Sequence, residues 1–170
     1  MLKRRNCSFK SNPRGGKIVK TIALACDQGG YVQKEALKEV ITGLGYEITD
    51  YGVMSEDSVD YPDVIYPAAK AVASGKHDLG IILCGTGIGA SIVANKVRGI
   101  RCALVTSVEV ATLTREHNNT NILAMAGRTT PLEVNKEIVK AWLETPFSND
   151  ERHIRRINKI SDIEIVEERE

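Results

Sequence analysis

The residues with the clearest capacity for chemistry are Cys84 and the glycine-rich turn that follows it, residues 85–89. The apolar run 79–83 predicts a buried strand that ends at this thiol, and the small residues 90–94 predict the start of a helix. A strand, a glycine turn and a helix in this order present free backbone N–H groups and the positive end of a helix dipole at one point. We therefore expect the turn to bind an anion and the neighbouring thiol to be partly thiolate near neutral pH.

Three familiar anion-binding motifs fit this turn poorly. A cysteine phosphatase would carry an arginine six positions after its cysteine, where this chain has Ala90. A Walker A loop would end in Gly-Lys-Ser or Gly-Lys-Thr, and a dinucleotide fingerprint would place GxGxxG after the first strand. The glycines here are spaced GxGxG and follow the third strand. Proton transfer by Cys84 therefore fits better than attack on phosphate, and the alternative is a small buried cysteine without a catalytic role.

A second polar cluster surrounds His117, which lies between a predicted helix and a predicted strand. Histidine is the side chain best suited to move protons near pH 7. Asn118, Asn119 and Asn121 are expected to orient the imidazole or to bind hydroxyl groups. The alternative is an ordinary solvated loop histidine.

The last predicted helix carries a basic cluster, in which Arg152 and Arg156 are four residues apart and share one face. Two guanidinium groups on one face suit a phosphate. The alternative is a solvated charged face. His77, in a predicted surface connection, receives no role.

Length, charge and cysteine spacing narrow the class of protein. The chain has 170 residues and a net charge of +1, which fits one domain and gives no electrostatic reason to expect nucleic acid or a membrane surface. No apolar run approaches the ~18 residues of a membrane span. The four cysteines lack zinc-ligand spacing, so we expect free thiols in a reducing compartment, the cytoplasm.

The pattern of apolar residues predicts strands at 19–26, 46–51, 79–84, 101–105 and 121–126, and helices at 31–44, 61–74, 107–116, 131–143 and 151–159, besides the helix that starts at 90. Alternating strands and helices imply a parallel sheet, and continuously apolar strands imply helices on both faces. The predicted fold class is α/β, a Rossmann-like three-layer sandwich with a five-stranded parallel sheet. Residues 18–160 form the predicted domain, 1–17 a disordered basic extension (or, less favoured, a transit sequence), and 161–170 an acidic tail. Asp27, Cys84 and Arg128 fall at carboxyl ends of strands, where such folds bind ligands.

Together these motifs resemble the type B ribose-5-phosphate isomerases, a family that includes galactose-6-phosphate isomerase subunits. The resemblance covers about residues 18–160 and depends on CDQGG from Cys26, SVDYPD from Ser58, CGTGIGASIVANK from Cys84, GIR from Gly99, REHNNTNIL from Arg115, GR from Gly127 and ERHIRRI from Glu151. It implies an aldose–ketose isomerase that interconverts D-ribose 5-phosphate and D-ribulose 5-phosphate, in the non-oxidative branch of the pentose phosphate pathway. Proton transfer would pass through an enediolate, with no metal or other cofactor.

The resemblance also implies a role for each matching residue. Cys84 is the expected base between C2 and C1, Thr86 holds the developing enediolate with the glycine turn, and His117 opens the furanose ring. The expected substrate-binding residues are Asp27, Gln28, Tyr61, Gly85, Gly87, Ile88, Gly89, Asn118, Arg128, Arg152 and Arg156. The family acts as a homodimer, sometimes as a dimer of dimers, with active sites shared between subunits. His117 and Arg128 are expected to reach across from the partner chain.

One departure from the family pattern is Gln28, where the family usually has a histidine. Glutamine can donate and accept hydrogen bonds, but it carries no charge and cannot move a proton at neutral pH. The departure leaves a six-carbon substrate, allose 6-phosphate or galactose 6-phosphate, as an alternative. A non-catalytic module that binds a phosphosugar or nucleotide is a further alternative, which would be expected to lack the thiol or the histidine.

Overall fold

A computed structural model of the protein describes residues 20–167, so the extension predicted for residues 1–17 lies outside the described residues, as do residues 168–170. The described strands are β1 (Thr21–Cys26), β2 (Glu47–Asp50), β3 (Leu79–Cys84), β4 (Cys102–Leu104) and β5 (Ile122–Ala126). The described helices are α1 (Tyr31–Gly43), α2 (Tyr61–Ala73), α3 (Ile88–Asn95), α4 (Val108–Asn118), α5 (Leu132–Glu144) and α6 (Glu151–Glu167). Among residues 20–167, no helix has both the length and the apolar character needed to cross a membrane.

The strands form one sheet in the order β2-β1-β3-β5-β4, and every neighbouring pair is parallel. Successive side chains of a strand point to opposite faces, so in β1 Ile22 and Leu24 enter one apolar core while Ala23 and Ala25 enter the other. Helices α1, α4 and α5 cover the first face, and α2 and α3 cover the second. This arrangement confirms the predicted three-layer α/β sandwich with five parallel strands.

The strand order reverses between β1 and β3. From β1 the chain first adds β2 on one side and then crosses to place β3 on the other side. In parallel sheets, a crevice opens beyond the carboxyl ends of the two strands at such a reversal. The turn after β1, residues 27–30, and the glycine turn after β3 therefore stand side by side at this edge.

Two helices extend beyond the lengths that the sequence predicts. Helix α4 continues through Asn118, so the prediction of a loop at His117 is wrong, and Asn119 ends the helix with a left-handed φ of 45°. Helix α6 continues to Glu167 where the prediction ended it at 159. The Glu164 carboxylate accepts the N–H of Gly99 at 2.9 Å, which ties the distal part of this helix to the loop before β4.

Candidate active site

The turn after β3 holds the Cys84 thiol against backbone N–H. The N–H of Gly87 donates to Cys84 Sγ at 3.1 Å, and Cys84 is 5% exposed. Gly87 precedes α3 with a φ of +75°, and a Cβ there would lie 2.5 Å from Leu104 Cδ1 and 2.9 Å from the Met125 carbonyl. Only glycine fits this position, so its N–H direction is fixed. A backbone donor at the start of α3 is therefore aimed at the sulfur.

Three turns meet around this thiol through their backbones. A Cβ at Gly29 would lie 2.8 Å from the Gly85 nitrogen, and one at Gly127 would lie 2.3 Å from the Gly29 carbonyl oxygen. The N–H of Gly127 donates to the Cys84 carbonyl at 2.8 Å, and that of Arg128 donates to the Gly85 carbonyl at 2.9 Å. The turns after β1, β3 and β5 thus form one interlocked floor at the carboxyl edge.

The side chains around this floor include Asp27, Arg128 and Tyr61. Asp27 is buried, and its Oδ1 accepts the N–H of Gly29 at 2.8 Å. The Arg128 side chain lies over Gly85, where a Cβ would be 3.5 Å from its Cδ. Arg128 thus contacts the glycine turn of its own chain. That it reaches across from a partner chain stays a prediction.

On its open side, the turn presents Thr86 and Ile88. Thr86 Oγ1 accepts the N–H of Ile88 at 3.4 Å, and Ile88 is 53% exposed. Tyr61, the first residue of α2, lies against the same segment, since a Cβ at Gly89 would be 2.7 Å from Tyr61 Cζ. The carboxyl edge therefore carries a thiol, a row of N–H donors, an arginine, a carboxylate and an aromatic wall.

A second group of predicted site residues gathers where α4 ends and α6 begins. The His117 ring packs on the ring of buried His153 with centroids 4.5 Å apart, and His153 Nδ1 lies 3.0 Å from Ser148 Oγ. Arg152 and Arg156 are exposed on the first two turns of α6. Near Asn118, a cavity of about 260 Å³ opens beside β4, away from Cys84.

An arginine clamp fixes the end of α4. Arg101 Nε donates to the Asn118 carbonyl at 3.0 Å, and its Nη2 donates to the Asn119 carbonyl at 2.7 Å. Arg115 Nη1 donates to Asn119 Oδ1 at 3.2 Å, and Asn121 Oδ1 accepts the N–H of Arg101 at 2.8 Å. Asn119 Oδ1 is therefore engaged with the Arg115 guanidinium group, and the Asn121 side chain with the backbone of the loop before β4. Their contact with an imidazole or a hydroxyl group stays a prediction.

The two groups lie at opposite ends of the strands, the first at the carboxyl ends and the second at the amino ends. Cys84 ends β3, whereas the end of α4 adjoins Asn121, whose carbonyl accepts the N–H of Gly80 at the start of β3. The four residue steps from Gly80 to Cys84 span roughly 13 Å at ~3.3 Å each. Within one chain, the structure does not bring His117 to the thiol.

Two residues that the sequence analysis missed hold the turn that carries Arg128. Gln33 Nε2 donates to the carbonyls of Gly127 and Thr130 at 2.9 and 2.8 Å. Asn135 Nδ2 donates to Gln33 Oε1 at 2.6 Å. Asn135 is fully buried and occupies the apolar face of α5, so a polar residue in an apolar period was the available signal.

The other described thiols differ from Cys84 in their surroundings. Burial raises the pKa of Cys26 to about 12, against the opposing effect of Lys34. Burial also raises the pKa of Cys102. All three thiols are free. Cys26 and Cys102 are therefore unsuited to act as bases near neutral pH.

Comparison with known proteins identifies the family. A family model described as Ribose/Galactose Isomerase matches residues 22–160. The chain belongs to this family. It is 41% identical over 146 residues to ribose-5-phosphate isomerase B of Escherichia coli, which spans 86% of this chain and 97% of that one. It is 40% identical over 128 residues to D-erythrulose-4-phosphate isomerase of Pectobacterium atrosepticum, over 75% of this chain and 84% of that one.

The solved structures agree with this membership of the ribose/galactose isomerase family. Ribose-5-phosphate isomerase B of Clostridium thermocellum matches with a TM-score of 0.82 and 44% identity, over 85% of this chain and 97% of that chain. The protein is therefore an aldose–ketose isomerase, and its fold is that of the family.

Proposed function

We propose that the protein interconverts D-ribose 5-phosphate and D-ribulose 5-phosphate through an enediolate, in the non-oxidative branch of the pentose phosphate pathway. The observation that carries the proposal is the Cys84 thiol, held 3.1 Å from the Gly87 nitrogen on a glycine turn at the strand-order reversal. The names of the relatives support the choice of a pentose phosphate.

In this mechanism Cys84 moves the proton between C2 and C1 of the open sugar. Negative charge then develops on O1 and O2, and the N–H groups of the glycine turn, with Thr86, stabilise it. Loss of one such donor typically costs about 3–4 kcal/mol of transition-state stabilisation. The interlocked turns keep these donors in place before the substrate arrives, so little reorganisation is needed during the reaction.

We propose that each complete site combines the carboxyl edge of one copy with the α4–α6 end of a second copy. The positions of Cys84 and His117 at opposite ends of the strands favour this arrangement. Helix α3, which begins at the glycine turn, exposes Ile88 by 53% and Ile92 by 54% on one face. An apolar face beside the thiol is a suitable contact for a second subunit.

The second copy would supply His117 to open the furanose ring, Asn118 to bind a hydroxyl group, and Arg152 with Arg156 to bind the phosphate. A phosphate fixed on two guanidinium groups anchors the sugar at a distance from the reacting carbons, and its binding energy orients C1 and C2 at the thiol. We also infer a cytoplasmic location, because Cys26, Cys84 and Cys102 are free thiols.

The test is turnover of ribose 5-phosphate to the ketose by purified protein, with allose 6-phosphate and galactose 6-phosphate in parallel. We expect strong turnover of ribose 5-phosphate. Turnover of a six-carbon phosphate alone would retain the mechanism and refute the substrate. Absence of turnover on all three, together with a thermal shift on adenine nucleotides, would instead support a binding module.

A further inference from the structure

Nine residues, 52–60, lie in the connection from β2 to α2 along the carboxyl edge, and we call this segment the strap. Its first residues are bound to the turn region of β1. The N–H of Val53 donates to the Cys26 carbonyl at 3.1 Å. Gly52 lies so close to the same strand that a Cβ would be 2.5 Å from the Cys26 nitrogen. The strap therefore begins in direct backbone contact with the strand that leads to Gln28.

Lys34 also holds the first residues of the strap. Its side chain is fully buried, and Nζ donates to the Val53 carbonyl at 2.7 Å and to Asp50 Oδ2 at 2.6 Å. Burial acts to raise the pKa of Asp50, but hydrogen bonds from Lys34, Lys38 and the Gly52 N–H bring it below its ordinary value. A buried ammonium with a paired carboxylate holds its partners strongly, because either group alone would be left unpaired.

Gln28 secures the far end of the strap. Its Oε1 accepts the N–H of Val59 at 3.0 Å, across 31 residues of sequence. Two residues later α2 begins with Tyr61, whose ring lies against Gly89 of the glycine turn. The Gln28 hydrogen bond therefore sets where the aromatic wall stands relative to the thiol.

We propose that Gln28 and Lys34 are positioning residues that hold the strap as a pre-formed wall of the sugar pocket, and that this wall selects against sugar phosphates longer than five carbons. The proposal rests on the proposed function. A fixed wall discriminates by excluding the additional carbon and its hydroxyl group. One carbon more or less in a pocket changes kcat/KM by roughly 10–200-fold.

The comparisons are consistent with a few local residues determining how many carbons the sugar substrate has. Relatives named for a four-carbon and for a five-carbon sugar phosphate are each about 40% identical to this chain. The interlocked glycine floor leaves little freedom for change, since a Cβ at Gly29, Gly87 or Gly127 would overlap backbone atoms. The strap, in contrast, is held at both ends by side chains, Lys34 at Val53 and Gln28 at Val59, and substitution can alter these contacts without disturbing that floor.

The test uses two variants of the far anchor. Gln28→Met removes the amide acceptor at similar length, and Gln28→Glu keeps an acceptor for the Val59 N–H. Hydrogen exchange of the Val59 amide measures whether its hydrogen bond to residue 28 is formed. The ratio of kcat/KM for ribose 5-phosphate over allose 6-phosphate measures selection, and it cancels any repulsion between the Glu carboxylate and a phosphate common to both substrates.

We expect Gln28→Met to speed exchange at Val59 and to lower the ratio by about tenfold or more, through a higher kcat/KM for allose 6-phosphate once the wall no longer excludes the sixth carbon. Gln28→Glu should retain both the protection and the ratio. Equal exchange at Val59 in all three proteins would refute the claim that Gln28 holds the strap. Faster exchange in Gln28→Met with an unchanged ratio would overturn selection by the strap.

The same experiment separates this proposal from the proposed function. Absence of turnover on both sugars by the unmodified protein would refute the proposed function, and selection with it. The exchange at Val59 would still decide whether Gln28 holds the strap.

Discussion

Replacement of Gly87 by alanine tests the claim that the glycine turn is locked in place. Gly75 provides a matched control, because its φ of +77° is nearly the same as the +75° of Gly87. A Cβ at Gly75 has no atom within 4 Å, whereas a Cβ at Gly87 meets Leu104 Cδ1 at 2.5 Å and the Met125 carbonyl at 2.9 Å. The two variants therefore share backbone strain and differ in steric overlap.

The expected magnitudes follow from these contacts. A left-handed conformation costs an L residue roughly 1–2 kcal/mol, and both variants incur it. Carbon atoms pack at about 3.5–4.0 Å, so the Gly87→Ala methyl overlaps Leu104 by about 1 Å. Overpacking typically costs about 1–3 kcal/mol. We expect Gly75→Ala to lose about 1–2 kcal/mol of unfolding free energy and Gly87→Ala about 2–5 kcal/mol.

Urea denaturation and turnover of ribose 5-phosphate measure the two effects. If the overlap is relieved by moving the turn, the N–H of residue 87 no longer points at Cys84, and kcat/KM should fall by roughly a hundredfold. Gly75→Ala should keep its activity. Equal denaturation midpoints and equal kcat/KM in the two variants would refute a turn fixed by Leu104 and Met125.

Two further predictions concern charge. Burial and the neighbouring Lys76, opposed by Asp78, lower the pKa of His77 below its ordinary value of 6.5, so the unfolded chain binds a proton more readily than the folded chain. The free energy of unfolding should therefore fall as the pH drops through and below 6.5. His77→Gln should flatten this slope in denaturant titrations at several pH values. The double variant Arg152→Ala with Arg156→Ala should raise KM for ribose 5-phosphate strongly, since the phosphate loses two charge-assisted partners. The control Arg155→Ala should leave this KM unchanged. Equal KM values for these variants in steady-state assays would place the phosphate elsewhere.

The carboxyl-edge half of the site follows from sequence with little help from tertiary structure. The apolar runs that end at Cys26 and Cys84 mark the ends of their strands in the sequence, and a parallel sheet places those ends side by side. The glycines that follow are explained by close backbone contacts. A local pattern was sufficient here because each residue acts where its own strand ends.

The α4–α6 half was less predictable because distant residues determine it. The polar run after Arg115 reads as a loop, yet α4 continues to Asn118 because Arg101, from before β4, binds the last carbonyl groups of the helix. The distal part of α6 is similarly held by Glu164 at the N–H of Gly99. Sequence periodicity carries no information on such partners.

Lys34 shows a third kind of case. It lies on the buried face of α1 with Leu37 and Ile41, and a lysine in such a position is read as an exposed interruption of the apolar period. The structure instead buries it on Asp50 and the strap. Predicting its role would have required knowing which carboxylate and which carbonyl group the fold brings to it.

Subunit complementation tests most directly whether two copies build each site. Cys84→Ala and His117→Ala are each expected to be folded and inactive on cyclic ribose 5-phosphate. Unfolded together and refolded as a mixture, half of the dimers should be mixed, each with one intact site, so the mixture should recover about one quarter of the unmodified rate. Recovery near that value would support sites shared between subunits. No recovery, from folded protein in which mixed dimers are demonstrated, would place Cys84 and His117 in the same subunit's site and contradict the account.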